Sequence, residues 1–190
     1  MQFKQGKVMI LVAFATSGID IVRAQNAVDK LQPLVEMSAR RLAVAEQVAL
    51  AKWDSHTSVE DPSREAQVIM RAVRESKSRG LDATFVSNFF RAQIEANKAI
   101  QYSLLADWYR AGRAPAHAPV NLAKTIRPEL DQLQMSLIAE LADTAIIRTG
   151  KTCHADVAEA VGKYISSYRG DRRSLHAIAL DRALATACTL

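Results

Sequence analysis

Apolar residues recur along most of the chain at the three- and four-residue steps of a helix. Runs of Val, Ile and aromatic residues in strict alternation, the mark of a half-buried strand, are absent. Val28, Leu31, Val35, Leu42 and Ala49 define a helix from about Asn26 to Trp53. A second is expected from Asp61, where Asp can cap and Pro62 suits the first turn, to about Ser78, with Gly80 as its stop. A third spans about Asp82 to Arg110 and ends at Gly112. The segment GRAPAHAPVN, residues 112–121, reads as a loop. A fourth helix covers about Leu122 to Arg148, and two shorter ones, about 152–168 and 172–188, close the chain around Gly170. The pattern predicts an all-α, single-domain bundle of about six helices, three long and three shorter, ending in a C-terminal helical hairpin.

Composition agrees with one helical domain: 190 residues, 49% hydrophobic, with only 7 Gly and 5 Pro. The N-terminus stands apart. Lys4 and Lys7 precede the apolar run VMILVAFATSGI, residues 8–19, which is short for a bilayer span and matches the core of a secretory signal. Val22 and Ala24 fit a small-residue cleavage rule, so residues 1–24 read as a signal peptide and 25–190 as the mature domain, exported to the periplasm or beyond. A buried N-terminal helix is the alternative. Losing Lys4, Lys7, Arg23 and Asp20 lowers the net charge from +5 to +3. A mildly basic mature chain hints at anionic ligands, gives no argument for nucleic acid, and has no membrane role once the signal is removed. Export would put Cys153 and Cys188 in an oxidising compartment, and an antiparallel C-terminal hairpin would bring them together. A disulfide is expected, with two buried free thiols as the alternative.

Polar residues on apolar faces carry the candidate chemistry. Leu34, Ser38, Arg41, Ala45, Val48 and Lys52 fall along one stripe of the first helix. Arg41 and Lys52, about three turns apart, point the same way and frame small or apolar residues. That suits a pocket wall, or long cations snorkelling from the core edge. In the third helix Val86, Phe90, Leu104 and Trp108 mark the inward stripe, and Gln93, Asn97 and Gln101 interrupt it at four-residue steps. Buried amides need partners, so these form either a structural polar layer or a cavity lining. Arg127, just before Pro128 in the first turn of the fourth helix, opposes the helix dipole unless an anion lies nearby. Around the turn KWDSHTSVEDPSRE, residues 52–65, Asp61, Arg64 and Glu65 could join these groups. Cations Arg41, Lys52, Arg64 and Arg127, acids Asp61 and Glu65, and amides would suit a small dianion that carries a hydroxyl.

Other chemistries lack support. His56, His117, His154 and His176 show no metal-ligand spacing, and no metal site is expected. There is no phosphate-cradling glycine loop and no nucleophile elbow. Arg169, Arg172 and Arg173 read as solvated surface, and adjacent Cys153 and His154 diverge by about 100° on a helix, which argues against a nucleophile pair.

The segments SARRLAVAEQVALAKW (38–53), VEDPSRE (59–65) and FFRAQIEANKAIQYSLLADW (89–108), followed by the two C-terminal cysteines, give the mature chain a resemblance. It resembles the secreted, gamma-class, all-helical (AroQ-type) chorismate mutases. The resemblance implies conversion of chorismate to prephenate by an intramolecular Claisen rearrangement, in aromatic amino-acid biosynthesis, without a cofactor. It implies carboxylate contacts from Arg41 and Arg127, supported by Arg64, with Asn97 helping to bind a carboxylate. Asp61 and Glu65 match positions near the ring hydroxyl. Lys52 would reach the ether oxygen and a carboxylate, and Gln101 would donate to that ether oxygen. Val68 completes the binding set, where relatives can carry a glutamine. Lys52, Gln101 and Arg41 would carry catalysis. The resemblance further implies one complete site per protomer, even if protomers pair as a homodimer. Two alternatives remain at this level: an isochorismate-pyruvate lyase on the same fold, and a non-enzymatic exported helical protein that binds dicarboxylates.

Overall fold

A computed structural model of the chain describes residues 17–189, with side chains from Gln25 onward. Residues 1–16 of the expected signal peptide lie outside the described residues. Eight α-helices and no strand occur among the described residues: α1 (Ser17–Ala43), α2 (Ala45–Ser55), α3 (Pro62–Ser76), α4 (Ala83–Ala111), α5 (Arg127–Asp143), α6 (Ala145–Arg148), α7 (Cys153–Ser167) and α8 (Arg173–Leu184). They follow six rods. The expected first helix is interrupted only at Val44, and the expected fourth only at Thr144.

The predicted boundaries rest on identifiable groups. The Asp61 carboxylate accepts from the Arg64 backbone N–H at 3.0 Å, and the Asp82 carboxylate from that of Phe85 at 2.7 Å. Gly80 and Gly112 end their helices at φ +69° and +70°, a conformation that favours glycine. His56 takes the same left-handed role after α2, at φ 52°. The expected fourth helix starts with one wide turn, Leu122–Ile126, capped by the Asn121 side chain, and this turn feeds directly into Arg127.

The core lies where α1 and α4 meet the rest. Helix α1 packs on α5, α7 and α8, and α4 on α2, α3 and α8. Leu31, Leu34, Leu42, Phe89, Phe90, Leu137, Ile138, Leu141 and Leu180 are fully buried between them. Each such side chain contributes roughly 1.5–3 kcal/mol by leaving water. A polar layer crosses this core. The Gln93 amide of α4 donates to the Ser38 hydroxyl of α1 at 3.0 Å and to the Ala183 carbonyl of α8 at 3.1 Å. Of the three amides on the α4 stripe, Gln93 is therefore the structural one.

The C-terminal hairpin is tied down twice. Cys153 and Cys188 form a disulfide across 35 residues. Arg148, 3% exposed, donates to the carbonyls of Leu141 and Ala187, each at 3.1 Å, and lies 4.4 Å over the Phe85 ring. Burial lowers its pKa to about 10, still leaving it charged at neutral pH. Carbonyls, not a carboxylate, hold this cation, as expected where helix ends leave unpaired acceptors.

Replacing both cysteines by alanine should lower stability by about 3–4 kcal/mol, from the closed-loop length alone. Denaturant titration of the double variant against the parent checks this. Acid should also weaken the hairpin. Burial lowers the pKa of His176, which stacks on Tyr168 at 4.4 Å. The unfolded chain therefore binds that proton more readily, and stability should fall as pH drops below about 6.5. The slope should flatten in His176→Phe, measured by thermal melts between pH 7 and pH 5.

Candidate active site

Helices α1 and α2 present Arg41, Val48 and Lys52 to one cavity of about 150 Å³. Helix α3 and its preceding turn add Asp61, Arg64, Glu65 and Val68, α4 adds Asn97 and Gln101, and Arg127 comes from the start of α5. Every one of the nine residues expected from the sequence to bind substrate lines this cavity. Val59, Ile94, Leu122, Ile126 and Leu130 supply apolar wall.

Arg41 is 5% exposed. Its one hydrogen bond is a long one, 3.5 Å to the Leu130 carbonyl, and its Nε is buried with no partner. Burial lowers its pKa to about 10, against the opposing pull of Asp131. It remains a cation at neutral pH, held in a site with unused donors. Lys52 is placed differently. Its ammonium donates to the Ser58 and Val59 carbonyls, both at 2.7 Å, so one of its three hydrogens is left. Burial lowers its pKa, with Asp61, Glu65 and Glu60 working the other way.

The two amides form a chain. Asn97 donates to the Arg41 carbonyl at 2.9 Å, and Gln101 donates to the Asn97 side-chain oxygen at 2.7 Å. One Gln101 amide hydrogen is thus engaged within the protein and a second remains. The Gln101 oxygen is buried without a partner. Such an orphan in a cavity wall costs free energy unless a guest satisfies it.

Further residues of the cavity escaped the sequence reading. Asp131 accepts from Arg71 at 2.7 Å and lies 3.9 Å from Arg64. Glu75 accepts from Arg71 at 2.7 Å and from Gln134 at 2.8 Å. This network clamps α5 to α3 and so fixes where Arg127 starts. Helical spacing offered a signal, since Arg127, Asp131 and Gln134 follow one another at four and three residues. Lys98 also lines the cavity. Its ammonium meets Glu60 at 2.7 Å, Glu95 at 2.7 Å and Glu65 at 3.3 Å. Its signal was the step from Ile94 through Lys98 to Gln101 on one face of α4.

The cations sort into two groups. Arg64 and Lys98 have carboxylate partners. Among the described residues, no carboxylate lies within ion-pair distance of Arg41, Lys52 or Arg127. Three cations without counter-ions around one small cavity can hold a compact dianion.

Comparison with known proteins points the same way. The profile of the chorismate mutase type II family matches residues 27–102. A secreted chorismate mutase of Mycolicibacterium smegmatis is 30% identical over 88% of this chain and 92% of its own length. Among solved structures, a chorismate mutase from Burkholderia phymatum superposes with a TM-score of 0.82 at 46% identity, covering 86% of this chain and 99% of that one. The secreted chorismate mutase of Yersinia pestis gives 0.65 at 26% identity, over 83% and 94%.

The unpaired state of Arg127 yields a test. Arg127→Ala should leave stability within about 0.5 kcal/mol of the parent, or raise it slightly, because a cation at a helix start opposes the dipole. The same change should weaken binding of a small dianion about tenfold or more. Denaturation curves and calorimetric titration, run side by side, separate the two effects.

Proposed function

The chain belongs to the chorismate mutase family, and on that premise we propose how its cavity rearranges chorismate to prephenate. The observation that carries the reading is the convergence beside Gln101 of Arg41, Lys52 and Arg127, none with a carboxylate partner among the described residues. Chorismate has two carboxylates, a ring hydroxyl and an enolpyruvyl ether. Arg41 and Arg127 bind the carboxylates, with Arg64 strengthening the field and Asn97 adding a hydrogen bond. Asp61 and Glu65 face the ring hydroxyl. Val68 forms an apolar part of the wall.

The reaction breaks a carbon–oxygen bond and makes a carbon–carbon bond within one molecule. No proton, electron or nucleophile has to be supplied. Catalysis therefore consists of holding the folded conformer and stabilising charge that grows on the ether oxygen. The free hydrogen of Lys52 and the second amide hydrogen of Gln101 meet that oxygen. Loop carbonyls fix the ammonium beforehand, so little reorganisation is needed as charge develops. Contacts that strengthen only at the transition state raise kcat, which is the part assigned to Lys52 and Gln101. Arg41 contributes through the ground state as well, because the substrate relieves its uncompensated burial.

We further propose that the protein works outside the cytoplasm. The related proteins called secreted, the disulfide and the lysine-led apolar stretch at residues 8–19 support that setting. Among the described residues no helix is long and apolar enough to cross a membrane.

Lys52→Ala should lower kcat by about 10²–10³-fold or more with a smaller change in KM, read by loss of chorismate absorbance. Product analysis should give prephenate; release of pyruvate from isochorismate at a comparable rate would overturn the reading. The pH profile should be flat from about pH 5 to 8, since the Gln101 amide does not titrate. A steep loss over that range would contradict its role. On the alkaline side, burial makes Lys52 lose its proton below the ordinary lysine value of 10.5, and kcat/KM should fall there. The limb in kcat should lie higher, because a bound dianion favours the ammonium.

A further inference from the structure

Carboxylates surround the Lys98 ammonium: it donates to Glu60 and Glu65 and forms an ion pair with Glu95. Yet it is 7% exposed and lines the cavity beside Gln101. Three carboxylates around one buried lysine is more than ion pairing requires. What they have in common is location. Glu60 belongs to the turn before α3 and Glu65 to its first turn, while Glu95 and Lys98 sit on α4. Tyr102, one turn further along α4, donates to the other oxygen of Glu60 at 2.8 Å. Glu65 also accepts from the Asp61 N–H at 3.3 Å, closing the helix start on itself.

The same turn carries the carbonyls of Ser58 and Val59 that grip Lys52. We propose that Lys98 is a positioning residue for the rearrangement: it pins the turn before α3 onto α4, and the pinned turn aims the Lys52 ammonium into the cavity. The route runs from α4 through Glu60 to two backbone carbonyls and then to Lys52, with no contact between Lys98 and substrate. A second consequence is electrostatic. Uncompensated, Glu60, Glu65 and Glu95 would set three negative charges at the edge of a cavity that binds a dianion. Lys98 cancels part of that repulsion. The inference rests on the role proposed above for Lys52.

The test uses Lys98→Met, Glu60→Gln and Tyr102→Phe in the full chain, with Lys52→Ala as reference. Glu60 and Tyr102 are exposed, so their variants keep the question open if Lys98→Met fails to fold. Each variant is checked by circular dichroism and thermal melting before assay. If the turn aims Lys52, kcat falls in Lys98→Met by about 10- to 100-fold, the scale of a misplacement near 1 Å, and by a smaller factor in the other two. KM rises in Lys98→Met, where negative charge is uncovered, and does not rise in Glu60→Gln, where it is removed.

The alkaline limb of kcat/KM gives a readout that a merely structural role would not move. Lys52 faces Glu60, Asp61 and Glu65 from the turn and α3, and Lys98 from α4, and shares the cavity with Arg41, Arg64 and Arg127. Lys98 pushes the Lys52 pKa down and Glu60 pushes it up. The limb should move to higher pH in Lys98→Met and to lower pH in Glu60→Gln. Shifts in the same direction, or kcat unchanged in folded variants, would overturn the inference. If Lys52→Ala itself keeps full kcat, the role of Lys52 is wrong. If Lys52→Ala is inactive while Lys98→Met, Glu60→Gln and Tyr102→Phe turn over like the parent, only the positioning role fails.

Discussion

A guanidinium taken out of water without a counter-ion is the constraint around which this molecule is arranged. Removing such a charge from solvent costs several kcal/mol unless something compensates. Arg41 has one long hydrogen bond and an orphaned Nε. Asp131 lies near enough to favour its charge, but the oxygens of Asp131 are directed to Arg71 and Arg64. The protein therefore holds a buried positive charge that an anion in the cavity would compensate. Arg41 can sit this way because it lies at the end of α1, between the rigid core on one side and the α3–α5 clamp on the other.

Two layers of support follow from that arrangement. One is the Arg64–Asp131–Arg71–Glu75–Gln134 network, which fixes the start of α5 relative to α3. The other is the Lys98 cluster, which fixes the turn before α3 relative to α4. Each combines partly buried charges with hydrogen bonds, so salt screens it less than a pair standing free in solvent. Each ties a chain segment to a neighbouring helix without using the donors that face the cavity.

The helices were legible because caps and glycines are local signals. Asp61, Asp82, Gly80 and Gly112 act where the sequence puts them. The single-residue breaks at Val44 and Thr144 were not legible, since neither residue is a helix breaker. The cavity residues were visible as polar groups at helical spacing on apolar faces, and the family resemblance gave them roles. Spacing could not separate Gln93 from Asn97, one turn away. Gln93 finds its partners on Ser38 and Ala183, far off in sequence, whereas Asn97 points along the route to Gln101. Lys98 was missed for the same reason: two of its three carboxylates lie 33 and 38 residues away. Such contacts are written in tertiary structure and leave little trace in local periodicity.

Among the described residues none beyond Gln134 walls the cavity, although the bridged α7–α8 hairpin presses on both α1 and α4. The hairpin thus supports the helices that carry the cavity without forming its wall. Its inner face must match what it leans on; its outer face owes nothing to chorismate. Substitutions on that outer face can therefore change the protein's surface and its endurance while the cavity wall stays as it is.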